Sequence, residues 1–165
     1  MDEPYILELV VTEQGKPFYP PVGTIENRTD ENAGYDLKVV QTIMPSEKAV
    51  LAPLGVKARL IKNGKYYVGC PNGVAEFHFT LEPRSSIYKS GFIMANSRGI
   101  IDKSYRGELK APVVSVGNNE TPIEAGVRLF QILAPDLGYI KEVRYIESLP
   151  TTMRGEGGFG STGSK

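Results

Sequence analysis

The chain has 165 residues, with 19 basic and 19 acidic side chains and a formal net charge of zero. That length suits one domain with a real core. The charge balance argues against a general nucleic-acid coat, which would be basic, yet leaves room for a small site built on local arginines, with Arg84, Arg106, Arg128 and Arg154 as candidates. Cys70 is the only cysteine, so no internal disulfide forms. His78 is the only histidine, which leaves a zinc site short of its usual ligands and makes any Ser-His-Asp or Cys-His enzyme depend on that one side chain.

The N-terminal Met-Asp-Glu-Pro carries no basic region, and no apolar run approaches the length of a membrane span. An intracellular, cytoplasmic protein with no membrane partner is the default expectation. Glycine and proline, 18 and 12 of them, break the chain so often that the longest stretch free of both, Tyr139 to Leu149, barely accommodates an average helix. Short segments between such breakers suit strands and turns.

In chain order, Tyr5 to Val11 has the β-branched, alternating character of a strand. Tyr35 to Val40 reads the same way and holds Asp36, a carboxylate disfavoured in a strand unless it faces water, finds a partner or meets a cation. Gly55 to Ile61 is the next strand. Asn63-Gly64 and Asn72-Gly73 signal tight turns, and Tyr66 to Cys70 between them reads as a hairpin arm. Alternation through Glu76-Phe-His-Phe-Thr80 makes His78 an ordinary strand histidine, in a strand from Phe77 to Leu81. Pro83 stops that strand. Arg84, Ser85 and Ser86 then meet a predicted short helix, which the two hydroxyls would cap and whose N-terminus would attract phosphate.

Phe92 to Ala95 and Leu109 to Val116 are predicted strands flanking a polar turn from Asn96 to Glu108. A hairpin mouth of this kind offers main-chain groups that can read the edge of a base. Asp102 follows two isoleucines, as a semi-buried general base would, and also fits the first position of a type I turn. Pro112 predicts an edge position or a bulge. In the strand Val127 to Ala134, Gln131 interrupts an apolar run, so its amide either faces solvent or meets a polar partner. The chain ends in Arg154-Gly-Glu-Gly-Gly-Phe159-Gly160-Ser161-Thr162-Gly163. Glycine-dense backbone can turn N–H groups toward an anion, arginine offers a fork for phosphate oxygens, and Phe159 offers a flat face for a base. Gly155 to Gly160 fits the dinucleotide fingerprint in spelling but lacks its strand-to-helix setting. Ser86-Ile-Tyr-Lys89 likewise fits one element of the penicillin-binding enzymes, whose other elements are missing.

These segments, in this order, resemble the five motifs of the trimeric dUTPases: Ala33 to Leu37, Pro83 to Ser85, Gly99 to Gly107, Arg128 to Gln131 and Arg154 to Gly163. The resemblance spans residues 20 to 163. It implies an all-β, distorted jelly-roll-like barrel over residues 1–151 with a flexible arm over 152–165. It also implies a homotrimer and hydrolysis of dUTP to dUMP and pyrophosphate with Mg²⁺. In that reading Asp102 is the general base. Asp36 helps hold the attacking water and the hydration shell of the metal, which has no direct protein ligand. Arg84, Ser85 and Gln131 hold the phosphate chain. Asn96 and the backbone near Gly99 and Ile101 read uracil, Tyr105 packs under the deoxyribose, Arg154, Ser161 and Thr162 take the terminal phosphates, and Phe159 with Gly160 closes over the base. The resemblance further implies that one chain supplies Asp36, Arg84, Ser85 and Gln131 to a site, a second Asp102 and Tyr105, and a third the arm. Ser86, where the family usually has glycine, either crowds the phosphate site or adds a donor. Phe130 replaces a common small residue, and Lys62 to Thr80 is longer than usual. Two alternatives share parts of this pattern: a dCTP deaminase-like enzyme of the same fold, and a non-catalytic nucleotide-binding trimer.

Overall fold

The computed structural model describes residues 3–63 and 73–157, which hold 12 strands in three sheets. The first sheet runs in the order β2 (Ile25–Asn27), β12 (Ile140–Tyr145), β1 (Tyr5–Val11), β5 (Val56–Asn63) and β6 (Val74–Phe77). The second is β4 (Val50–Pro53), β10 (Lys110–Ser115) and β8 (Phe92–Met94), and the third is β3 (Tyr35–Lys38), β11 (Arg128–Leu133), β7 (Phe79–Pro83) and β9 (Gly99–Ile101). All the strand pairs are antiparallel except β1 with β12. The predicted all-β, jelly-roll-like architecture is the one observed.

Period-two alternation explains why these segments are strands. On β1, Leu7 and Leu9 point into the core and are fully buried, joined by Leu37, Phe79, Phe92, Phe130 and Ile132 from the other two sheets. Burying each such side chain stabilises the fold by about 1.5–3 kcal/mol. The opposite face of β1 is covered too, so Glu8 is buried. It survives there because Arg59, its register partner on β5, reaches it at 2.5 Å. Arg59 also binds Glu76 at 2.9 Å, and Glu76 binds Arg106 at 3.2 Å. This ionic chain carries the first sheet across to the turn that follows β9.

Three expectations change. Pro112 lies in the middle strand of its sheet, not at an edge. The Ala95 N–H donates to the Pro112 carbonyl at 2.8 Å, but proline has no N–H to return, and the β8–β10 ladder ends one residue away at Val113 and Met94. His78 is not a strand residue, because β6 ends at Phe77 and β7 begins at Phe79. The predicted short helix is a 3-10 turn, Ser85–Lys89. Its N-cap is Arg84, with no side-chain cap, so neither serine caps it. The proposed hairpin arm Tyr66 to Cys70 lies outside the described residues.

Candidate active site

The motif residues gather at two places. The first is a cleft of about 770 Å³ lined by Asp36, Arg84, Ser85, Arg128 and Gln131. Strand register builds it. Asp36 of β3 lies opposite Gln131 of β11, and Gln131 lies opposite Glu82 of β7, so side chains from three strands meet at one end of the third sheet. The Gln131 amide donates to the Pro83 carbonyl at 3.2 Å. Gly34 makes this possible, because a Cβ at that position would run into the Gln131 amide. Arg84 is fixed twice: its N–H donates to the Leu129 carbonyl at 2.9 Å, and its guanidinium donates to the Arg128 carbonyl at 2.9 Å. Its Nε stands 3.2 Å from Asp36 Oδ1. Ser85 is exposed into the cleft, whereas Ser86 is half-buried and does not line it. A 3-10 turn of five residues lacks the summed dipole of a long helix, so the positive charge that this cleft offers comes from side chains.

Arg28 and Lys38 add two cations to this cleft. Arg28 also buttresses the loop leading into β3, donating to the Gly34 carbonyl at 2.7 Å and the Ile140 carbonyl at 2.7 Å. Burial lowers its pKa, against the raising influence of Tyr35 and its neighbours. At the back of the cleft the hydroxyls of Tyr35 and Tyr145 bind each other, and Tyr35 donates to Glu26 at 2.8 Å. Burial pushes the Tyr145 phenol up to about 12, so it stays neutral.

The second place is a smaller pocket of about 210 Å³, lined by Asn96, Gly99, Ile101, Asp102, Tyr105 and Arg154, with Leu81, Ile100 and Lys110 completing it. β8 and β10 pair as the arms of the expected hairpin. Its long turn crosses to the third sheet, where β9 pairs with β7 through Phe79↔Ile101 and Leu81↔Gly99. Ser97 takes a left-handed conformation with φ 62°, which lets the chain reverse beside Asn96. Tyr105 is buried, and its hydroxyl donates to the Glu108 carbonyl at 2.8 Å. Gly107 leaves room for its ring. Burial raises the Tyr105 pKa, opposed by the charge of Arg154.

Asp102 is half-exposed, with a side-chain exposure of 49%. Arg154 Nη1 donates to its Oδ2 at 2.5 Å and lies over the Tyr105 ring, 5.4 Å from the centroid. The root of the C-terminal arm is held in this position by its own bonds. Thr152 Oγ1 donates to the Ser104 carbonyl at 2.5 Å, Arg106 N–H to the Gly155 carbonyl at 2.7 Å, and Arg106 Nε to the Pro150 carbonyl at 2.6 Å. Phe159, Gly160, Ser161 and Thr162 lie outside the described residues.

β7 spans the interval between the two places. Asp102 follows Ile101, the partner of Phe79 at the start of β7, and Arg84 follows Pro83 at its end. At about 3.3 Å per residue these positions are roughly 20 Å apart. One chain therefore does not bring Asp102 and Arg84 to the same atom. His78, Lys38 and Arg28 were not singled out as site residues in the sequence. Lys38 had a signal, being two residues beyond Asp36 and so on the same strand face. Arg28 had none.

A family model described as dUTPase matches residues 21–163. A deoxyuridine 5'-triphosphate nucleotidohydrolase of Rickettsia prowazekii is 36% identical over 141 residues, covering 84% of this chain and 86% of that protein. One of Leptospira interrogans is 36% identical over 137 residues, covering 82% of this chain and 88% of its own length. The crystal structure of a dUTPase from Streptococcus mutans, 24% identical, superposes with a TM-score of 0.53 over 84% of this chain and 96% of that one, a likeness of fold.

Proposed function

We infer that this chain, which belongs to the dUTPase family, is a dUTP nucleotidohydrolase, and we propose that it works through a site assembled between chains. The observation that carries the proposal is the separation of Asp102 from the phosphate cleft along β7. A base at one end and phosphate-binding cations at the other are complementary halves, and a ring of identical heterologous contacts joins such halves. The outer face of the second sheet supports assembly as a homotrimer. Leu51 and Ile93 are exposed there, opposite Pro112 and Val114 in register, with Val116 beside them. A contiguous apolar face of this kind marks an interaction surface.

In the joined site, uracil enters the pocket of Asn96, Gly99 and Ile101, and the deoxyribose lies on Tyr105, whose ring leaves no room for a 2′-hydroxyl. The triphosphate extends to Arg84, Ser85 and Gln131 of the neighbouring chain. A water held by Asp102 attacks the α-phosphorus, Asp102 takes its proton, and the bond to the β-phosphate oxygen breaks to release pyrophosphate. Arg154, freed from Asp102, neutralises charge on the terminal phosphates with Ser161 and Thr162, and Phe159 and Gly160 cover the base.

Among the described residues no group of three or more His, Cys, Asp or Glu side chains could hold a metal. The half-exposed carboxylate of Asp36 is a hard oxygen donor facing the cleft, which fits Mg²⁺ carried on phosphates and water. Bound Mg²⁺ would stabilise charge on the phosphate oxygens. A cytoplasmic location fits a nucleotide substrate, and no described helix is long and apolar enough to cross a membrane.

Supplying each deoxynucleoside triphosphate and UTP with Mg²⁺ tests the substrate. Pyrophosphate release from dUTP, with far lower kcat/KM for dTTP, dCTP and UTP, is the expected result. Ammonia release from dCTP would identify the deaminase-like alternative, and nucleotide binding without turnover the regulatory one.

A further inference from the structure

His78 has no part in the substrate contacts above, yet it stands beside Asp102. It occupies the break between β6 and β7, and the Phe79↔Ile101 pairing sets it level with the turn after β9. Its Nδ1 accepts the Lys103 N–H at 3.0 Å and lies 3.9 Å from Asp102 Oδ1. The second distance is too long for a hydrogen bond, so the ring grips the backbone immediately after Asp102, not the carboxylate. Two further bonds close the same turn: Tyr105 N–H to the Asp102 carbonyl at 3.0 Å and Arg106 Nη1 to the Lys103 carbonyl at 2.8 Å. With Arg154 on Oδ2, Oδ1 is left on the side of the imidazole.

We propose that His78 is a positioning residue for Asp102, holding the Asp102–Lys103 peptide so that the carboxylate keeps its aim. The proposal rests on the reading of Asp102 as the general base. Accepting from Lys103 requires a bare Nδ1, with the ring proton on Nε2. The charged groups facing the ring are Asp102, from the turn after β9, and Arg154 behind it, from the arm. Glu76, two residues before it, is engaged with Arg59 and Arg106. The ring is 60% exposed.

The test compares wild type with His78→Ala, His78→Asn, His78→Gln and Asp102→Asn in the full chain, reading kcat, KM and thermal melting. Loss of the grip on Asp102 in His78→Ala is expected to lower kcat about 10- to 100-fold with little change in KM, since small misplacements of a reacting group cost rates of that order. His78→Asn places Oδ1 where Nδ1 was and is expected to restore kcat to within about threefold of wild type, whereas the longer His78→Gln does not. Unchanged kcat in His78→Ala, or equal losses in the Ala and Asn variants, would each overturn the proposal. Asp102→Asn separates the two levels. If it retains turnover, the base assignment fails. If it is inactive while His78→Ala is normal, only the role of His78 fails.

Discussion

Arg154 and Asp102 are hydrogen-bonded within one chain, at 2.5 Å. The carboxylate is therefore already charge-paired before substrate arrives, on a loop closed by Tyr105 N–H and Arg106. Asp102→Asn keeps an acceptor for Arg154 and keeps the turn, but it cannot take a proton from water. Turnover should fall about 10²- to 10⁴-fold, the usual contribution of general-base catalysis, with KM and the melting temperature little changed. Steady-state kinetics and calorimetry check this, and near-normal kcat would reduce Asp102 to a turn residue.

Gly34→Ala should damage the other half of the site. The added Cβ meets the side-chain amide of Gln131, which must leave its bond to the Pro83 carbonyl. Overpacking of this kind typically costs about 1–3 kcal/mol. A lower melting temperature is expected together with a raised KM for dUTP, because Gln131 lines the cleft proposed to hold the phosphates. Wild-type KM in this variant would remove Gln131 from the binding set.

Acid should weaken the fold partly through Asp136. Burial alone would raise its pKa, but the Tyr5 hydroxyl at 2.9 Å and the Gly138 N–H at 2.9 Å outweigh that and hold it below the ordinary 3.8. A depressed carboxylate stabilises the native state above its unfolded pKa, and that stabilisation is lost as pH falls through the folded value. Wild type should therefore melt above Asp136→Asn near pH 6, with the gap narrowing toward pH 3. A gap independent of pH would show that the charge of Asp136 contributes nothing.

Local patterns carried most of the fold. Tyr5 to Val11 alternates and is bounded by breakers, and its strand has those ends. His78 defeated the same reasoning. Alternation through Glu76 to Thr80 continues across it, and only the pairing of β6 with β5 and of β7 with β9, two different sheets, interrupts the strand there. The serines after Arg84 look like caps because capping is a local rule, but the extended backbone at Arg84 is tied to Leu129 across the sheet. Most of the candidate site was legible because Asp36, Arg84, Asp102 and Gln131 each break a local preference or sit in a distinctive run. Arg28 was not, since its partners Gly34 and Ile140 come together only in the folded chain.

The separation of the two half-sites along β7 predicts complementation between damaged subunits. Asp102→Asn lacks the base but has an intact phosphate cleft, and Arg84→Ala has the base but a cleft deprived of its guanidinium. Each homotrimer should be nearly inactive. Within a chain Asp102 and Arg84 lie roughly 20 Å apart at the two ends of one strand, so the proposed site draws them from different chains. In randomly mixed trimers, half the sites receive a good Asp102 and half of those receive a good Arg84, so about a quarter should turn over dUTP. Pairing Asp102→Asn with Arg154→Ala asks the complementary question about the arm. The contact seen between Arg154 and Asp102 joins groups of one chain. If it persists in the working site, this second mixture should recover nothing, whereas an arm contributed by another chain should again give about a quarter. Mixed composition is verified by mass, and activity is read as pyrophosphate release. No recovery in the Asp102→Asn and Arg84→Ala mixture, with mixing confirmed, would show that the two halves never meet across a subunit boundary.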